Sequence, residues 1–142
     1  MQELALRNSD KFKIFPLNLL IANDYILQRQ DSMQKFNKLM RSASQMIKNS
    51  EINEDLSQIY TDIENIMIEY PTLFPDDSFK GKTKASEDII SNRDKFNEIS
   101  LETAEIAKLA STASLNQDIE LLQQSHKNLF GSCKSCHSRF KN

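Results

Sequence analysis

Tryptophan is absent from this chain, and turn-forming residues are scarce, with two glycines and three prolines in 142 residues. Sandwiches and barrels need such residues at every few positions, so a turn-dense all-β architecture is excluded. No apolar run is long enough to span a bilayer. The best early stretch, "IFPLNLLIAN", is short and contains Pro16. Charge of neither sign dominates: 18 Lys and Arg stand against 20 Asp and Glu, a formal net charge of −2. That balance leaves no basic surface and argues against nucleic acid as a partner. Residues 1–22 also lack a signal peptide's succession of basic, apolar and small-residue zones, since Glu3 and Asp10 intrude. The sequence is therefore taken as a mature chain, and its length suits a single domain with one core.

Cysteine and histidine are scarce too, two of each, yet three of these four residues fall within five positions of "SCKSCHSRFKN", residues 132–142. A Cys-x-x-Cys serves three chemistries. A dithiol redox motif sits where a strand feeds a helix, and no strand-like alternation precedes this one. A structural zinc site takes four ligands; Cys133, Cys136 and His137 supply three, and His126 lies upstream on the same helical segment. The third is Cys-x-x-Cys-His, the attachment signal of a c-type haem. On a helix these side chains stand at i, i+3 and i+4, on one face. Both thiols can then form thioethers to the haem vinyl groups while the imidazole reaches the iron. The motif is assigned to one covalently attached haem c, two buried core thiols being the plainer alternative. Such attachment takes place outside the cytoplasm in bacteria, so the expected location is the periplasm.

Apolar residues recur with helical spacing in four segments. The first spans 23–48, with Asn23 or Asp24 as N-cap; its inner stripe is Ile26, Arg29, Met33, Phe36, Met40, Ala43 and Ile47. The second takes Ser50 as cap, carries Ile52, Leu56, Ile59, Ile63, Ile66 and Tyr70, and ends at Pro71. After the loop "YPTLFPDDSFKGKTKAS", Ser86 caps a third helix with Ile89, Phe96, Ile99, Ile106 and Ala113 inward and Asn92, Thr103 and Ala110 in the same stripe. Asn116 opens the fourth, whose stripe is Ile119, Leu122, His126, Leu129, Cys133, Cys136 and Phe140. Short connections between amphipathic helices predict an all-α, antiparallel up-down-up-down four-helix bundle over residues 23–142. Residues 1–22 fall outside the pattern, as an extension or arm. A helical interaction module without cofactor would share the periodicity but not the haem motif.

With His137 on one side of the iron, the other side has to come from a different helix. Only residues 138–142 remain downstream. His126 lies eleven positions before His137, about 16 Å along a helix, and is expected to be a partly buried histidine instead. The end of helix four lies level with the start of helix one and the end of helix two. Met33 is on the inner stripe there, Met67 is its rival, and a methionine on such a stripe also serves as core filler. Arg29, one turn before Met33, is a cation on an inner stripe. It needs a counter-charge, which haem propionates would supply, unless it snorkels to water. No carboxylate pair, Gly-rich loop or nucleophile constellation accompanies the motif, and the stripe places no polar donor beside Met33. An enzyme is not expected.

A haem motif closing a four-helix bundle resembles cytochrome c′ and its relatives, the class II cytochromes c, over residues 23–142. The matching stretches are "RQDSM" at 29–33, "YPTLFPDDS" at 70–78, "DKFNE" in the third helix and "CKSCHSRFK" at the end. The resemblance implies that Cys133 and Cys136 carry the haem, His137 is the axial ligand, Met33 occupies the distal face and Arg29 faces the propionates. It places Phe74 against the pocket and Phe140 on the proximal side, with Lys141 where the family usually has Arg. Ile90 stands where many members have Trp, and Phe130 where they have Gly, with Gly131 one place later. Functionally it implies a five-coordinate haem that binds nitric oxide and carbon monoxide and also serves in electron transfer. The alternative it allows is a low-spin, Met33-ligated one-electron carrier serving a redox partner protein. Homodimers through helices one and two are a further implication.

Covalent attachment is open to a mass measurement. After acid–acetone extraction the intact protein should stay one haem heavier than its polypeptide. A bare-polypeptide mass with two titratable thiols would exclude the assignment.

Overall fold

The computed structural model describes residues 17–142, with side chains from residue 20 onward. Its elements are α1 (Leu17–Lys48), α2 (Glu54–Glu69), a 3₁₀ turn (Tyr70–Leu73), the short α3 (Asp88–Ser91), α4 (Arg93–Leu115) and α5 (Ile119–Phe140). The four long helices form the expected antiparallel bundle. Between α2 and α4 the direction is fixed by Ser57 Oγ against Ser111 Oγ at 2.7 Å and by Ser100 Oγ donating to the Met67 carbonyl at 2.6 Å. This seam is lined on α4 by Ala104, Ala107, Ala110, Ser111 and Ser114, all buried. Small side chains let the two helices approach closely, and the buried hydroxyls find each other or a backbone carbonyl. The main core is filled by Phe36, Met40, Leu56, Tyr60, Ile63, Leu122 and Leu129.

Helix boundaries depart from the sequence reading where a better cap stands nearby. Helix α1 begins at Leu17, so Asn23 and Asp24 are not caps but exposed residues within it. Residues 17–22, expected in the arm, belong to this helix, and residues 1–16 lie outside the described part. Ser50 does not cap α2. It takes a left-handed backbone, φ 59°, and its N–H closes on the Ile47 carbonyl. The cap is Asn53, whose side chain accepts from the Leu56 N–H at 3.1 Å. Asn116 does not open the last helix but ends α4, with its N–H on the Thr112 carbonyl; after Gln117 at φ 57°, Asp118 caps α5 by accepting from Leu121 N–H. Ile119 is accordingly exposed, too near the helix end to reach the core. Ser86 Oγ does accept from Asp88 N–H, but the third helix breaks at Asn92. The Asn92 carboxamide donates to the Asp88 carbonyl at 2.9 Å, a side-chain bond that competes with the helical ladder.

His126 is the partly buried histidine expected, and it joins three helices. Its Nε2 lies 2.9 Å from Ser44 Oγ on α1 and its Nδ1 2.7 Å from the Tyr60 hydroxyl on α2. Burial lowers its pKa from the ordinary 6.5 by disfavouring the imidazolium. The sign follows from linkage. A folded-state value below the unfolded one gives stability that is full above pH 6.5 and is lost as pH falls below it toward the folded value. Denaturant midpoints of the holoprotein should therefore fall between neutral and mildly acid buffer. In His126→Gln the fall should be shallower; an unchanged pH slope would rule out this source.

Candidate haem centre

A cavity of about 630 Å³ opens at the end of the bundle where α5 finishes. Its walls come from α1, the end of α2, the 3₁₀ turn, the loop 81–85, α3, α4 and the last turns of α5. Cys133, Cys136 and His137 all line it, as i, i+3 and i+4 placement requires. Cys133 packs against the main core, while Cys136 packs against an aromatic cluster of Phe74, Phe79, Phe96 and Phe140. Burial pushes the Cys133 thiol up, and pushes Cys136 up to about 11 with help from Cys133 beside it. A dithiol catalyst needs a thiolate, which calls for the opposite shift. Among the described residues no group of three or more His, Cys, Asp and Glu is placed to hold a metal ion by itself. His137 is shifted down by burial and then by the Lys141 charge, which favours the neutral imidazole that ligates iron.

The His126 contacts also set the levels of the helices. Helices α1 and α5 are antiparallel, so eleven residues forward from His126 to His137 match eleven back from Ser44 to Met33. Met33 thus stands level with His137 and lines the same cavity. Helices α2 and α5 are parallel, so seven residues from His126 to Cys133 match seven from Tyr60 to Met67. Met67 lines the cavity about one turn deeper than His137.

Arg29 is 3% exposed and does not snorkel to water. Nη1 donates to the Leu73 carbonyl (3.0 Å) and Ser78 Oγ (2.8 Å), and Nη2 donates to the Ser78 carbonyl (2.9 Å) and Thr83 Oγ1 (3.2 Å). The guanidinium also lies over the Phe74 ring, 4.5 Å from its centroid. Burial lowers its pKa, and it has no carboxylate partner among the described residues. Lys82, Lys84 and Lys141 join it on the cavity wall, where no Asp or Glu appears. A cavity with two thiols, an imidazole, apolar walls and four unopposed cations fits a flat apolar group bearing carboxylates, as haem does.

Phe74 and Phe140 are both buried, each edge-on to Phe96 at 4.7 and 5.2 Å between centroids. Lys141 pairs with Ala85 in an antiparallel bridge; Ser86 N–H donates to the Phe140 carbonyl at 2.8 Å, and Asn142 N–H to that of Lys84 at 2.6 Å. Gly131 is not a close-packing position, since an added Cβ would meet nothing within 4 Å. Gly81 is one: φ is 117°, and a Cβ would sit 3.0 Å from Asn23 Oδ1. Sequence reasoning named Lys141 but missed Lys82, Lys84 and Thr83, whose loop shows no periodicity. It also missed the polar groups of Gln30, Asn37 and Tyr70, which line the cavity, and only their level relative to α5 reveals it.

A four-helix bundle whose last helix turns a Cys-x-x-Cys-His face toward such a cavity is a c-type haem bundle. A family model described as Cytochrome C′ matches residues 24–141. The chain belongs to the cytochrome c′ family, and its cofactor is covalently attached haem c. It is 25% identical to a cytochrome c′ of Pararhodospirillum photometricum over 119 residues, 82% of this chain and 95% of that one. Among solved structures it resembles cytochrome c′ of Shewanella frigidimarina, with TM-score 0.76, 21% identity, and 85% and 96% of the two chains covered. The cytochrome c′ of Rhodopseudomonas palustris gives TM-score 0.71, 26% identity, and coverage of 84% and 96%.

Removing Arg29 leaves loop carbonyls and hydroxyls without their donor. Arg29→Ala should lower unfolding stability by about 2–4 kcal/mol, and Arg29→Lys should recover only part, because an ammonium lacks the planar fork. Equal denaturant midpoints for wild type and Arg29→Ala would show that the clamp contributes nothing.

Proposed function

We propose that this is a periplasmic haem protein, five-coordinate through His137, that binds nitric oxide and carbon monoxide on the Met33 side and also exchanges electrons with a redox partner protein. Bound haem c supplies an iron with one axial position free for a diatomic gas. Cys133 and Cys136 fix it to α5, His137 offers a neutral nitrogen, and Phe74 and Phe140 pack around it. Arg29, with its Nε–H unengaged among the described residues, faces a propionate together with Lys82, Lys84 and Lys141. Met33 is an apolar gate that keeps water from the open side.

The observation that carries this reading is the separation of the two walls. Helices α1 and α5 make almost no close backbone contact, unlike α2 with α4 or α4 with α5. That separation supports a Met33 that faces His137 across the cavity instead of packing onto its helix. The same level placement favours a second reading, in which the Met33 thioether closes the gap and the protein is a low-spin one-electron carrier. Exposed Leu27 on α1 and Ile68 on α2 support self-association through these helices. One cytochrome c′ of similar fold is described as having a ligand-controlled dimer dissociation.

Absorption spectra separate the two readings. The ferrous protein should be high-spin at rest and should bind both gases, and Met33→Ala should bind them faster. A resting low-spin ferrous spectrum that turns high-spin only in Met33→Ala would make the protein an electron carrier.

A further inference from the structure

The cations of the haem end differ in their surroundings. Arg29 is buried, with both Nη atoms engaged by the loop after α2. Lys82, Lys84 and Lys141 line the same cavity, yet all three are exposed, and none is in an ion pair among the described residues. The backbone beneath them is fixed. Gln30 on α1 donates to the Lys82 carbonyl at 3.3 Å. The bridge between Ala85 and Lys141 sets the loop beside the chain end, with Asn142 N–H on the Lys84 carbonyl. Three hydrated ammonium groups thus stand on a rigid frame at the cavity rim.

Their charge exceeds what the cofactor needs. A haem carries two carboxylates, so the four cations of the wall keep a surplus of positive charge once both are matched. The chain as a whole has a formal net charge of −2. Its acids lie elsewhere: Asp94, Glu98, Glu102 and Glu105, all exposed, gather around a groove on α4. Of the loop acids, Asp76, Asp77, Glu87 and Asp88, none lines the cavity, and Asp76 is held by Arg93 at 2.7 Å. Flexible, exposed ammonium groups do not build a pocket for one small anion; together they spread a field over the rim. A field of that extent suits an acidic protein face.

We propose that Lys82, Lys84 and Lys141 form the docking rim for an acidic one-electron carrier protein, which reduces the iron at this edge of the cavity. One electron passes from the carrier to the ferric iron, and no atom moves. The proposal rests on the electron-exchange part of the reading above and names the chemistry of the partner. Charges on an interface rim mainly raise the rate of encounter and orient the partner, and contribute less to affinity.

Stopped-flow reduction of the ferric holoprotein by two probes tests this, one an acidic flavodoxin and the other the cationic hexaammineruthenium(II) ion. The chain is net negative, so without a local rim the flavodoxin rate should rise as salt screens the repulsion. The rim predicts the reverse: the flavodoxin rate falls with salt and the ruthenium rate rises. Lys82→Gln/Lys84→Gln/Lys141→Gln should slow flavodoxin about tenfold at low salt and remove most of its salt slope. Lys82→Arg/Lys84→Arg/Lys141→Arg should keep both, because a field depends on charge and not on the shape of the head group. A flavodoxin rate that rises with salt in wild type overturns the proposal without any variant having to fold. So does a folded triple Lys→Gln variant that shifts the reduction potential but keeps the wild-type slope, since the lysines then serve the haem carboxylates alone. Reduction by the ruthenium ion but not by flavodoxin overturns the proposal only; reduction by neither takes the electron-exchange reading with it.

Discussion

A buried guanidinium has to be surrounded by acceptors, and in this protein that demand organises the whole haem end. Arg29 projects from α1 into a region with almost no solvent. Desolvating a cation costs several kcal/mol unless its donors are used. The acceptors come from Leu73, Ser78 and Thr83, so the irregular stretch after α2 is drawn onto α1. That stretch in turn holds the chain end, through Ser86 on Phe140 and Lys84 on Asn142. The last two turns of α5 bear the haem motif, and their position therefore depends on a charge more than a hundred residues earlier in the sequence.

The bundle is unequal along its faces. Helices α2 and α4 meet through alanines and paired hydroxyls and leave no room between them. Helices α1 and α5 diverge, and the space between them is the cavity. His126 ties α5 to both α1 and α2, and the cavity lies beyond it, toward the end of α5. A volume of about 630 Å³ with such walls lets a flat apolar group bury its faces, and packing made only in the native state contributes directly to folding stability. Thioether attachment makes that contribution permanent.

The sequence carried the four helices plainly, because their inner stripes alternate steps of three and four over many turns. The caps were harder. Ser50, Asn53, Asn116 and Asp118 are all good capping residues within a few positions of one another, and which one acts depends on where the neighbouring helix closes. The break at Asn92 depends on a carboxamide choosing a carbonyl four residues back, which periodicity does not encode. At the site, Cys133, Cys136 and His137 were legible because their chemistry depends on local spacing alone. Arg29 stood out as a cation among apolar residues, but its partners lie 44 to 54 positions away.

The pairing of Ala85 with Lys141 also bears on the order of folding. Helix pairs joined by short turns make local contacts and form early, while contacts between distant segments close late. The bridge can close only after α4 and α5 have both folded back beside the loop, so the haem end is not completed by local contacts alone. Until then Cys133 and Cys136 lie on an unfinished edge, reachable from outside. The topology thus leaves an interval in which the thioethers can be made before the loop and the chain end shut over them.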